Sequence, residues 1–358
     1  MAMALGALIL GVPHFQASGT SSLAPKTSDT QAQQQQAQQQ QQRQQADALD
    51  STSSRGRAVG YVTPWETEQG LIDRKSKVCM GWTARAACTF AVSIFLESVG
   101  LLDKALAYSP FVHNYREQRM DRRFVARPLD CSGPGVTSFK IVRNPFARAA
   151  STFAHQMFSH FSDGLTDHPR INSAMTNILG ETDVRKVSFV QWLRAVKKDN
   201  FNTVDIHSKP QTTAAEHDGR VVFDSVCKLE HELQACLDAV NSRTGANFSV
   251  TRAAETSAPH SNEHQAMSGD DVATLPYGSF PKGDKGQTLF PEPADYYRGP
   301  KGAEAAALVV ELYQVDFDQY KYSTADTTGI GVMSLRESLQ RVAKVGREGQ
   351  QPARVAAR

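Results

Sequence analysis

Ile141-Val142-Arg143-Asn144-Pro145-Phe146-Ala147-Arg148-Ala149-Ala150-Ser151 is the stretch whose reading decides the fold. Phe139 to Val142 reads as a short strand, and Pro145 suits the first turn of a helix that runs on through His160. The same strand, turn and helix recur twice. Val78 to Thr83 leads into Ala86 to Val99, whose apolar face repeats at helical spacing until Gly100. Val221-Val222-Phe223 to Leu229 leads into Glu230 to Thr244, which Gly245 stops. Strands alternating with helices predict an α/β fold built on a parallel sheet flanked by helices on both faces. In such a sheet, ligands bind beyond the carboxyl ends of the strands, where helix N-termini offer unpaired N–H groups to anions.

Outward from this frame, the 358 residues divide into three parts. Residues 1–60 read as a disordered tail, because Ser, Thr, Ala and the tract Gln31 to Gln45 offer little to bury. Their apolar start, Met1 to Val12, lacks a basic flank and is shorter than the roughly 18 residues a spanning helix needs. It fits a signal peptide, a short membrane anchor or simply the beginning of the tail. Residues 61–340 form the folded unit, and 341–358 a basic disordered tail. Within the unit, Pro259 to Pro300 reads as a long loop or lid, and Ala303 to about Tyr320 as a closing helix. Trp82, Trp192, Phe153, Phe158 and Phe161 read as core. Asn247-Phe248-Ser249 matches a glycosylation acceptor.

With 39 basic against 37 acidic side chains, the formal charge is +2, so no global field recruits nucleic acid or an anionic membrane. Any anion site is local. The five cysteines show no CxxC spacing, which argues against a zinc site and a dense disulfide framework while leaving room for one bridge. Two strand-to-helix turns carry anion-binding chemistry. Arg85-Ala86-Ala87-Cys88-Thr89 combines a cation, small residues that let backbone approach a phosphate, and a hydroxyl donor. In the second turn, Arg143 leaves the strand end as a fixed cation and Ser151 follows about two helical turns later. Arg148 either faces the ligand or braces the loop.

A hydrophobic strand followed by Arg-x-Pro-Phe-x-Arg and Ser resembles the 3′-phosphate motif of sulfotransferases that use PAPS, 3′-phosphoadenosine 5′-phosphosulfate. By that resemblance, Arg85 to Thr89 corresponds to the 5′-phosphosulfate loop, with Arg85 where the family has Lys and without the usual preceding Pro. Lys77 offers an alternative register but precedes the predicted strand. His207-Ser208-Lys209-Pro210-Gln211, Asp224 and Lys228-Leu229-Glu230 are similar to a run in the membrane-type carbohydrate enzymes (sulfotransferase family 2). So are Tyr296-Tyr297 and Leu312 through Asp316-Phe317 to Tyr320 and Tyr322. The resemblance spans roughly Val78 to Tyr322. It implies a P-loop-like sheet, PAPS as co-substrate with PAP (3′-phosphoadenosine 5′-phosphate) as product, and in-line sulfuryl transfer to a hydroxyl, expected on a glycan. Arg85, Ala86, Ala87, Cys88 and Thr89 would hold the 5′ end, and Arg143, Arg148 and Ser151 the 3′-phosphate. No metal is required where cations and helix dipoles stabilise the charge. His113 and His207 are the candidate general bases, His113 first, because histidine titrates near neutrality. Lys209 and Arg116 read as surface charges, and Asp224 and Glu230 as a polar brace. Related enzymes lie in the Golgi, or in the cytoplasm of bacteria. Two rivals are a sulfotransferase-fold binding protein without turnover and another nucleotide-binding transferase. The second lacks the Gly-x-x-x-x-Gly-Lys-Ser/Thr loop.

Overall fold

The computed structural model describes residues 70–161, 180, 183–201, 206–231, 233–250, 253, 264–269, 271–284 and 286–327, all within the unit Val59–Arg358. Expectations for residues 1–69 and 328–358, and for the side chains of Phe158 and Phe161, lie outside the described residues.

Five strands, β1 (Gly70–Asp73), β2 (Val78–Gly81), β3 (Val125–Ala126), β4 (Thr137–Val142) and β5 (Ser225–Lys228), form one sheet in the order β3-β1-β2-β4-β5. β2, β4 and β5 run parallel, with Met80 beside Phe139 and Ile141 beside Cys227. β1 runs antiparallel to β2 and to β3, so the sheet is mixed and not wholly parallel. The reason is local. Asp73 accepts hydrogen bonds from the Lys75 and Ser76 N–H groups and closes a tight turn, and strands joined so closely can only pair antiparallel.

Among the described residues the helices are α1 (Cys88–Ser98), α2 (Leu102–Tyr108), α3 (Val112–Gln118), α4 (Pro145–Phe161), α5 (Phe189–Asp199), α6 (Ala214–His217), α7 (Leu233–Thr244) and α8 (Gly299–Tyr320). Strand alternation sends Val78, Met80, Phe139, Ile141 and Cys227 to one face, against Phe90 and Ile94 of α1 and Leu237 of α7. A second core gathers Phe146 and Phe153 of α4, Trp192 of α5 and Phe317 of α8. Trp82 is buried as well. None of the helices among the described residues is long and apolar enough to cross a membrane.

Where it is described, the Pro259 to Pro300 segment packs into the core. Val272, Tyr277, Phe280, Phe290 and Tyr296 are buried in the second core, and β6 (His264–Gln265) pairs with β7 (Phe290–Pro291). Its glycines and prolines mark turns, while the aromatics between them supply the burial. Four cysteines are paired, as Cys79–Cys131 and Cys227–Cys236, one bridge more than expected. Cys131 lies 52 positions from Cys79 and reaches β2 through the 3₁₀ turn Pro128–Ser132, a proximity that spacing does not reveal. Cys88 is free.

Candidate functional site

β2 and β4 are parallel neighbours, so the loops at their carboxyl ends, 82–87 and 143–144, emerge side by side and feed α1 and α4. Arg85 (φ 63°) and Ala87 (φ 57°) turn the first loop through left-handed backbone, which is uncommon for residues with a Cβ and gathers at functional sites. Ala86 and Ala87 are buried. The Ala86 N–H donates to Thr83 O at 3.1 Å, so it is committed to the turn and does not serve an anion as the sequence suggested. The donors left for a ligand are the first-turn N–H groups of α1, beginning at Cys88 and Thr89.

The second loop is fixed from several sides. Asn144 Oδ1 accepts from the Phe146 N–H at 2.9 Å and caps α4 around Pro145. Glu230 Oε1 accepts from the Asn144 N–H at 2.8 Å. The Gln211 side chain pairs with the Arg143 backbone in both directions, accepting from its N–H at 2.9 Å and donating to its carbonyl at 2.7 Å. Asp316 of α8 in turn accepts from the Gln211 and Thr212 N–H groups, each at 2.8 Å. The Pro-Gln segment and the closing helix therefore act as the mount for Arg143.

Three guanidinium groups meet here. Arg85 Nη2 donates to Ser151 Oγ at 2.8 Å, joining the two loops directly, and Arg143 Nη1 donates to Arg85 O at 3.3 Å. Arg148 is buried, with Nε donating to Ala84 O at 3.0 Å and Nη2 to His207 O at 3.2 Å, while its guanidinium lies over the Tyr313 ring. It braces the loops, the second of the two roles the sequence left open for it, in place of ligand contact. Burial brings Arg85 down to about 10, with the nearby Cys88 opposing the shift and Arg143 and Arg148 adding to it. Arg143 is also lowered, first by burial, with Glu230 opposing and Arg148 adding. Both remain cations at neutral pH, and clustered cations of this kind favour an anion.

Cys88 and His113 add a second feature. Burial alone would raise the Cys88 thiol, but His113, through its charge and a hydrogen bond, then Arg85 and His207, bring it down to about 5. His113 lies on α3, buried with ring centroids 5.6 Å from Trp82 and 4.9 Å from Phe111, and its Nε2 has no partner in hydrogen-bond geometry. His207 lies in the turn Ile206–Ser208, its ring 4.6 Å from that of His155.

Several side chains sit otherwise than the sequence suggested. Lys209 is buried, not a surface charge, and Arg116 lies over the Trp82 ring at 4.9 Å while pairing with Glu117. Asp224 accepts from the Ser138 N–H at 2.7 Å and Glu230 Oε2 from Tyr322 at 3.1 Å, so these two do brace as the sequence suggested. Two features went unread. Lys140 Nζ contacts Glu216, Gln211 O and Tyr320 in a buried cluster on the sheet. His264 on β6 is held below its ordinary value by burial first, with its bond to Pro291 O opposing and Arg143 and Arg85 adding their charge, which brings it into the same electrostatic neighbourhood. Its Nδ1 lies 2.9 Å from Pro291 O, a carbonyl that can only accept, so the neutral ring carries its proton on Nδ1 and its lone pair on Nε2. Nothing in the composition of the 259–300 segment signalled this histidine. Among the described residues no group of His, Cys, Asp and Glu is arranged to hold a metal ion.

Comparison of the chain with protein-family models, with curated proteins and with solved structures finds no match in any of the three.

Proposed function

We propose that this protein is a sulfotransferase that binds PAPS across the two loops and transfers its sulfuryl group to a hydroxyl, on a glycan acceptor. The observation that carries the reading is the meeting of Arg85, Arg143 and Ser151 at the carboxyl ends of adjacent parallel strands, with Arg85 bonded to Ser151. Two loops that resemble a 5′- and a 3′-phosphate site are thus joined through Arg85. In this reading Arg143 and Ser151 receive the 3′-phosphate. Arg85 and the first-turn N–H groups of α1, at Cys88 and Thr89, receive the 5′-phosphosulfate and stabilise the charge that develops on the departing oxygen. Binding turns Arg85 from Ser151 toward the anion. The finer fold assignment, the P-loop-like sheet of the PAPS enzymes, belongs to the same proposal.

For the proton acceptor His264 fits better than His113. His264 is held below its ordinary value with Arg143 and Arg85 adding their charge, and its Nδ1 bond to Pro291 O leaves the lone pair on Nε2, whereas the His113 ring is buried against Trp82 and Phe111. Two disulfides and an exposed Asn247 in the glycosylation sequence favour an oxidising, secretory compartment such as the Golgi lumen. A second reading, binding without turnover, is favoured by Arg85, which stands where the resembled family has Lys and cannot hand a proton to the departing phosphate.

Calorimetric titration with PAP tests the first step. Micromolar binding by the wild type that is lost in an Arg143→Ala, Ser151→Ala double variant supports the donor site, and no binding by folded wild type overturns it. Incubation with radiolabelled PAPS and a panel of glycans then separates the readings, since a binding protein retains PAP affinity and transfers nothing.

A further inference from the structure

We propose that Trp82 and the corner between α2 and α3 form a subsite for a carboxylate-bearing sugar, a hexuronate residue of the acceptor glycan. Its role in presenting an acceptor rests on the sulfotransferase reading, whereas its chemistry rests on the side chains alone. Trp82 Nε1, His113 Nε2 and Arg116 Nε are buried atoms without a hydrogen-bond partner. Trp82 is 6% and His113 7% exposed, so each of these polar atoms lies inside the protein, where an unmet one is costly and calls for a role. The three side chains form one packed group. The Trp82 and His113 ring centroids are 5.6 Å apart, and the Arg116 guanidinium lies 4.9 Å over the Trp82 ring. His113 and Arg116 share one face of α3 because three positions make nearly a full turn.

The group adjoins the donor loops. Trp82 opens the loop after β2, three positions before Arg85, whose own Nε is also unpartnered while its Nη2 holds Ser151. Indole and guanidinium nitrogens only donate, so what they lack is an acceptor. His113 Nε2 joins them in the tautomer that carries hydrogen there or once protonated. Arg116 adds a fixed charge. Its Nη2 pairs with Glu117, which is 58% exposed and screened by solvent, and its Nε stays open. A carboxylate supplies two acceptor oxygens and the opposite charge.

The surroundings specify what carries the carboxylate. Tyr108 and Phe111 bracket the link from α2 to α3 and are both exposed, Phe111 with its ring 4.9 Å from that of His113. The Arg119 guanidinium lies 5.3 Å over the Tyr108 ring, so aromatic faces and cations alternate along the corner. Such a surface fits a ligand with an apolar C–H face and one anionic edge, which is the form of a hexuronate pyranose. The formal charge of +2 supplies no global field for a phosphate backbone, which favours an oligosaccharide with isolated charges over nucleic acid.

Calorimetric titration of the full-length protein tests it, with three probes: an unsulfated oligosaccharide of alternating hexuronate and N-acetylhexosamine, the same chain with its carboxyls reduced to alcohols, and a neutral oligosaccharide bearing sulfate esters. The wild type should bind the hexuronate chain at least about tenfold more tightly than the reduced one, the ratio expected for a charge-assisted hydrogen bond. Trp82→Phe keeps the ring and removes only the N–H, and Arg116→Gln removes the charge. Each should cut that preference by roughly fivefold or more, with circular dichroism verifying the fold. Equal affinity for the acid and reduced chains overturns the subsite, as does tighter binding of the sulfated neutral chain, or a preference that survives both substitutions. If a variant does not fold, the wild-type comparison decides. PAP binding without any hexuronate preference overturns the subsite alone. A hexuronate preference without PAP binding overturns the sulfotransferase reading and leaves the subsite standing.

Discussion

At the residue scale, the most consequential side chain that the sequence left unread is Lys140. It projects from the interior strand β4 into a buried site, where Glu216 lies at 2.6 Å, Gln211 O at 2.6 Å and Tyr320 Oη at 2.9 Å. All three ammonium protons have acceptors, which is what lets a buried charge persist. Glu216→Ala should therefore destabilise by about 3–5 kcal/mol, because it strands the ammonium, and the shift in urea midpoint measures it. A Lys140→Met, Glu216→Leu double variant should recover most of that loss. Arg143, Pro145 and Ser151 were legible because their chemistry follows from a local pattern, a strand end and a helix start. For Arg148 the local pattern left two roles open, since the carbonyls of Ala84 and His207 that occupy it come from 64 and 59 positions away. His264 was hidden for the same reason. Its closeness to the arginines is created by the β6–β7 pairing, and the sequence around it carries only turn residues.

At the element scale, the parallel core β2-β4-β5 and helices α1, α4, α7 and α8 follow from periodicity and from punctuation by Pro145, Gly100 and Gly245. Short elements without a periodic signal, β1, β3, α2 and α3, do not. β3 is two residues long and exists only because β1 offers it an edge. Contact between elements also sets limits that propensity would misjudge. Gly302 lies in the first turns of α8, where alanine would ordinarily favour the helix by roughly 1 kcal/mol. A Cβ there would stand 2.3 Å from the Tyr297 carbonyl carbon, a backbone atom that cannot swing aside. Gly302→Ala should thus lower stability by about 1–3 kcal/mol, seen as a reduced melting temperature, the reverse of the propensity expectation. A rise in melting temperature would mean that α8 packs less closely on the turn Pro293–Tyr297.

For the whole molecule, the two disulfides hold very different lengths of chain. Cys79–Cys131 closes a separation of 52 residues and Cys227–Cys236 one of 9. By loop-closure entropy the first should stabilise by about 4 kcal/mol and the second by about 2.5 kcal/mol. Comparing Cys79→Ala, Cys131→Ala with Cys227→Ala, Cys236→Ala by chemical denaturation should show the larger loss in the first pair. Sequence by itself determined the α/β class, the strand-to-helix order and the two cationic turns, because alternation, helical spacing and Pro or Gly punctuation act over a few residues and leave a local record. Only the tertiary structure decided that the sheet is mixed, that Arg85 meets Ser151 and that Arg148 is a brace. Those pairings join residues far apart in the chain, and what selects them is the shared burial of two cores and the satisfaction of buried charge, neither of which any single segment encodes.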